Sequence, residues 1–186
     1  MDQTNLKQLK KHLEGLGRLR PEAWQHLIEL LKPIDLKINQ QYICGQGDMA
    51  WLSEGLLKQY NSFNRKEPSL VHFITEGQFL FNQQTDPLPV FIAIEQCKLY
   101  TLTNDGAITL ISAYPELIRI FLHLRAFYER GLEFRHSLTE IRSANERIQM
   151  AIAAFKPYLN RISHRDLSEY VNLNYDYFCH IWGDNL

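Results

Sequence analysis

Residues 115–155 read PELIRIFLHLRAFYERGLEFRHSLTEIRSANERIQMAIAAF. Leu117, Phe121, Leu124, Tyr128 and Gly131 follow one another at steps of four, three, four and three. After one slip of phase, Phe134, Leu138, Ile141, Asn145, Ile148, Ile152 and Phe155 take up the same rhythm. That spacing lays one apolar stripe along a helix face, and its average of about 3.5 residues suits a helix–helix seam. Gly131 falls in the stripe, where a missing side chain lets two backbones approach closely. Ser143-Ala144-Asn145-Glu146 is a capping box, which marks a new helix start. The stretch therefore predicts two helices, Pro115 to about Arg142 and Ala144 to about Tyr158. Two readings fit the stripe. It is either a pair of core helices or a dimerisation helix joining a front domain to a tail.

Upstream of this stretch the period changes. Asn5 to Leu16 carries Leu6, Leu9, Leu13 and Leu16 on one helix face, and Pro21 opens a second helix with Trp24, Leu27, Ile28 and Leu31. Pro33 is read as its stop. From Ile34 to about Ser112 the pattern alternates with period two in short runs, among them Ile34–Ile38, Leu56–Tyr60, Leu70–Ile74, Val90–Ile94 and Cys97–Leu102. Gly45–Asp48, Glu54-Gly55, Asn64–Pro68 and Glu76-Gly77 are turn signals between them. Short strands with regular turns predict a sandwich or small barrel, and no intervening long helix favours a parallel sheet.

Downstream, Ser163-His164-Arg165-Asp166 is a second capping box. Leu167, Tyr170 and Val171 give one short apolar face, and Phe178, Ile181 and Trp182 give another. Asn172-Leu173-Asn174 is a turn between them. Two short helices joined this way make a helix-turn-helix pattern.

Composition narrows the class. At 186 residues, 45% hydrophobic and 22% charged, the chain is ordinary for one globular core or two small ones. No apolar run reaches the roughly 20 residues of a membrane span, and the first residues do not read as a signal peptide, so a cytoplasmic protein with no membrane partner is expected. Cys44, Cys97 and Cys179 are odd in number and scattered, which fits reduced thiols rather than a disulfide framework or metal cage. A formal charge of −1 lacks the basic excess common in nucleic-acid binders, although a local patch would suffice. Phosphate-loop, dinucleotide, nucleophile-elbow and zincin motifs are absent from the sequence, and His72 is the one histidine among the strands. No enzyme, metal or cofactor is expected.

The order of helical lead, strand domain, seam helix and terminal helix pair resembles the Crp/Fnr family of bacterial transcription regulators. Trp51-Leu52-Ser53-Glu54-Gly55-Leu56-Leu57 looks like the family's hydrophobic strand turn. Phe73-Ile74-Thr75-Glu76-Gly77-Gln78-Phe79 looks like its turn into the ligand loop, and Asp166 to Asn174 like its first output helix and turn. Short members ending after the recognition helix, with little or no wing, are the most similar. The resemblance implies an α+β fold. Residues 1–113 would be N-terminal helices and a jelly-roll (double-stranded β-helix) sensor, 114–142 a dimerisation helix, and 143–186 a helix-turn-helix domain.

It also implies a homodimer through Leu117, Phe121, Leu124, Tyr128 and Gly131, and an unidentified small-molecule or protein effector in a pocket near His72, Glu76, Gly77, Phe79 and Phe91. DNA contacts would fall to Arg161, Arg165, Asn174, Tyr175, Asp176, Tyr177, Cys179 and His180. Two departures matter. Cyclic-nucleotide binders hold the phosphate with an arginine, yet Phe79 to Ile94 contains no Lys or Arg. From Tyr175 to Leu186 there is again no Lys or Arg, while Asp176 and Asp184 add negative charge. The implied output is weak binding to double-stranded DNA, or a relative that has lost it and serves as a ligand-binding or protein-interaction module.

Overall fold

The computed structural model describes residues 3–62, 67–82 and 88–183. Among them, the front of the chain is two helices, α1 (Gln3–Leu16) and α2 (Pro21–Leu30). Eight strands follow: β1 (Lys32–Leu36), β2 (Gln41–Ile43), β3 (Met49–Glu54), β4 (Leu57–Asn61), β5 (Ser69–Ile74), β6 (Phe79–Phe81), β7 (Val90–Ala93) and β8 (Cys97–Leu102). They form two antiparallel four-stranded sheets, in the orders β1-β8-β3-β6 and β2-β7-β4-β5. The expected α+β class and strand roll are present. Pro33 does not merely end α2; it sits inside β1, which is paired with β8 alone and so tolerates the lost amide. β6 had no counterpart in the alternation pattern, because three apolar residues in a row show no period. Residues 64–66 of the expected Asn64–Pro68 turn lie outside the described residues.

The strands end in α3 (Asn104–Ala113), where the period-two reading had continued to Ser112. Thr103 caps this helix: its hydroxyl accepts from Gly106 N at 3.2 Å. Then come α4 (Leu117–Glu140) and α5 (Ala144–Phe155), with a short 3-10 turn over Lys156–Tyr158. Ser143 Oγ accepts from Glu146 N at 3.3 Å, so the capping box does separate two helices. The tail closes with α6 (His164–Tyr170) and α7 (Tyr175–Gly183). Ser163 caps α6 through Asp166 N at 3.0 Å, and Asn172 turns the chain with φ 55°.

The apolar stripe of α4 finds its partner inside the chain. Leu117, Leu124 and Tyr128 are buried with Leu9, Leu13, Trp51, Phe79, Phe81 and Tyr100, in a core built from α1, both sheets and α4. Gly131 faces not a second helix but the ring of His72 on β5; a Cβ there would lie 2.2 Å from His72 Cε1. The residues expected as a free dimer seam are thus satisfied by the protomer's own roll. Periodicity identifies a buried face; it does not say what buries it. The large apolar residues that α4 exposes are Ile118, Leu122 and Phe127.

A second core joins roll and tail. Leu56, Leu70 and Phe73 from the strands pack with Leu138, Ile148, Phe155, Leu167, Tyr170 and Phe178. Phe73, Phe155 and Tyr170 form a three-ring cluster with centroids 5.1–5.2 Å apart.

Candidate functional site

The β5–β6 turn builds one wall of a cavity on the roll's outer surface. Gly77 adopts φ 85°, and its N–H donates to Leu52 O at 2.8 Å, while Leu52 N donates back to Gln78 O at 2.9 Å. Gln78 Oε1 accepts from Thr75 N at 2.9 Å. This turn, α1 and α4 enclose a cavity of about 380 Å³. Leu16, Phe79, Leu124 and Phe127 supply apolar walls, and His12, His123 and Arg130 supply basic groups. Burial lowers the pKa of His12, favouring the neutral imidazole.

Of the five expected pocket residues, Glu76, Gly77 and Phe79 line this cavity. His72 does not. It lines an adjoining cleft with Gln78, Phe127, Arg130, Gly131, Phe134, Phe155 and Tyr170. Its Nδ1 is buried without a hydrogen-bond partner, and burial depresses its pKa to about 4. Phe91 is fully buried inside the roll beside Tyr42, with ring centroids 6.2 Å apart. A further cavity of about 200 Å³ lies between the roll and α4, lined by Gln59, Asn61, Phe81, Asn82, Pro89, Tyr128, Glu129 and Leu132. No Lys or Arg lines it among the described residues. Tyr128 OH donates to Gln59 Oε1 there at 2.9 Å.

The tail is clasped to the roll by charge as well as by rings. Arg161 binds Glu76 and Glu95, the acids of the turns that follow β5 and β7, including a 3.2 Å bond from Nε to Glu95 Oε2. These bonds raise the Arg161 pKa still further. Lys58 Nζ donates to Asp166 Oδ1 at 2.6 Å. Glu169 accepts from Tyr60 OH at 3.1 Å and from Leu70 N at 2.9 Å. Sequence spacing gave no hint of this clasp, since its partners stand 66 to 109 residues apart.

The expected DNA contacts divide accordingly. Arg161 is engaged by two carboxylates and is not presented outward. Arg165 is exposed, its guanidinium 5.6 Å from the Tyr175 ring centroid. Asn174 caps α7, its Oδ1 accepting from Asp176 N at 2.9 Å. Tyr175, Asp176, Tyr177 and His180 are exposed, and Cys179 is half-buried. Arg147, a nearby cation, spends its Nη1 on Val171 O at 2.9 Å and Asn172 O at 3.2 Å. Among the described residues no group of three or more His, Cys, Asp or Glu gathers as a metal site. Burial pushes the Cys44 thiol up to about 12 and the Cys97 thiol up to about 11, so neither is a ready thiolate.

This architecture is the fold of Crp/Fnr-family regulators and cyclic-nucleotide-binding-domain proteins. FixK2 from Bradyrhizobium japonicum superposes with a TM-score of 0.70 at 12% identity, covering 83% of each chain. A cyclic nucleotide-binding domain containing protein from Listeria monocytogenes gives 0.65 at 16% identity, over 97% of this chain and 88% of that one. A Crp/Fnr-family protein from Eubacterium rectale gives 0.68 at 9% identity, over 88% and 82%. No protein-family model matches the sequence, and no curated protein matches it.

Proposed function

We propose that the chain is a homodimeric transcription regulator of the Crp/Fnr type, with residues 1–113 sensing an effector, 114–142 linking, and 143–186 carrying the output helix pair. The observation that carries this reading is the whole order of roll, long helix and tail, with α7 turning Asn174, Tyr175, Asp176, Tyr177 and His180 outward. Among the described residues the cavity between roll and α4 has no cation for a cyclic phosphate, which argues against a cyclic nucleotide as the effector. With the α4 stripe used by the roll, pairing falls to the outward face at Ile118 and Leu122. No helix among the described residues is long and apolar enough to cross a membrane.

A second reading is favoured by the charge of the tail. Among the expected contacts, Arg161 is already neutralised by the roll, which leaves Arg165 as the one exposed arginine. A protein-interaction module that has lost DNA binding suits that surface. Titration of genomic DNA fragments against salt separates the two. Each neutralised phosphate adds about 0.9 to the slope of log affinity on log salt. The regulator reading expects a slope of about 2 for a dimer using Arg165 twice, abolished by Arg165→Ala. Silence at low salt refutes it in favour of the interaction module.

A further inference from the structure

The cavity formed by α1, the β5–β6 turn and α4 lies outside the roll, apart from the space between roll and α4. At about 380 Å³ it falls within the roughly 300–1,000 Å³ of small-molecule sites. Its chemistry is two-sided. Leu16, Phe79, Leu124 and Phe127 offer an apolar bed in which two faces are aromatic. Arg130 stands at its edge, its guanidinium 5.2 Å from the Phe127 ring centroid and with no carboxylate partner among the described residues. The acid in the wall, Glu76, is held by Arg161, which it shares with Glu95. Arg130 is the one Lys or Arg among the described lining residues, and no carboxylate is paired to it. A planar guanidinium fork matches a carboxylate, and a single cation balances a monoanion better than a phosphate dianion. The two histidines, His12 and His123, add polar rim.

We infer that this cavity binds an amphipathic monocarboxylate, its carboxylate on Arg130 and its apolar body on Leu16, Phe79, Leu124 and Phe127. The inference deepens the effector part of the reading above. Occupancy bears on the Thr75–Gln78 turn, whose Glu76 holds the tail through Arg161. The test reads binding directly, so its failure leaves the DNA reading standing.

The probe is 1-naphthoate, titrated calorimetrically into the full chain, with 1-naphthalenemethanol as its neutral counterpart. Saturable binding at one equivalent per chain is expected, at least tenfold tighter for the carboxylate. Arg130→Gln should weaken naphthoate at least tenfold, and so should Phe127→Ala; both side chains are exposed, and unchanged unfolding midpoints show that the variants fold. Asn61→Phe, which fills the separate cavity between roll and α4, should leave the affinity unchanged. Equal affinity for the alcohol, full affinity in Arg130→Gln, loss in Asn61→Phe alone, or no saturable binding at millimolar naphthoate overturns the assignment.

Discussion

Replacing Gly131 with alanine inverts an ordinary expectation. Within a helix, Gly→Ala stabilises by about 1 kcal/mol, because alanine loses less backbone freedom on folding. At Gly131 the added Cβ would stand 2.2 Å from His72 Cε1, 2.3 Å from Nε2 and 3.1 Å from Nδ1. Ordinary contact needs more than a further ångström, and the ring has little room. His72 is buried on β5, opposite Gln59 in the register, and 5.9 Å in centroid distance from Tyr128. Overpacking costs about 1–3 kcal/mol, and a 2.2 Å contact puts this site in the upper part of that range, at about 2–3 kcal/mol. The net expectation is a loss of about 1–2 kcal/mol in urea unfolding at fixed protein concentration. The control is His72→Ala, which removes the ring. On that background Gly131→Ala should regain the helix value and stabilise by roughly 0.5–1 kcal/mol. The sign reversal amounts to a coupling of about 2 kcal/mol between residues 59 positions apart. If Gly131→Ala stabilises the parent chain, or shifts both backgrounds equally, α4 does not pack on β5 as described.

Three further outcomes follow from the geometry. His72 is held neutral, with a folded pKa of about 4 against an ordinary 6.5, so the unfolded chain takes up the proton first as pH falls. Stability should therefore decline from about pH 6.5 to pH 4, by roughly 3 kcal/mol in all, and His72→Leu should flatten that part of the profile; parallel profiles refute it. Arg161→Ala should cost about 1–2 kcal/mol, since its carboxylates are about one-third exposed, and should raise amide exchange in α6 and α7 but not in β3 or β8; uniform exchange would deny the clasp. Leu122→Asp should halve the sedimenting mass from twice 21.9 kDa, whereas Leu124→Asp, buried under the roll, should unfold the chain; a folded monomer from Leu124→Asp would restore the stripe as the dimer seam.

What the sequence revealed depended on how local the determinant was. The Ser143 and Ser163 caps act over three residues, and the structure places helix starts at both. The α4 stripe was equally plain, but its period is the same against a second copy or against Trp51, Phe79 and Tyr100. The β5–β6 turn was legible from Glu76-Gly77, and three of the five expected pocket residues gather on it. The basic groups that complete that cavity were not legible: His12, His123 and Arg130 come from two helices more than 100 residues apart. Arg161 shows the same limit. Its charge suggested DNA, and only the fold brings Glu76 and Glu95 to it.

The clasp also constrains how an effector can act on the tail. Undocking α6 would expose Phe73, Tyr170 and Phe155 together with Leu70 and Leu56, at about 1.5–3 kcal/mol for each large apolar side chain. Roughly 10 kcal/mol of burial is at stake before the ion pairs are counted. Coupling between a ligand and a distant site typically supplies 1–3 kcal/mol. A ligand of that strength does not lift the tail from the roll; it redistributes smaller displacements within a docked pair. The α4 helix is the element placed to carry them. Its one face lies on the roll, its Phe127 and Arg130 edge the proposed carboxylate cavity, and its end leads through Leu138 into the tail's core. The turn bearing Glu76 gives the same cavity a second route, through Arg161. In the homodimer proposed above, movement at either contact would change where α7 sits relative to the partner's α7 while both cores stay buried.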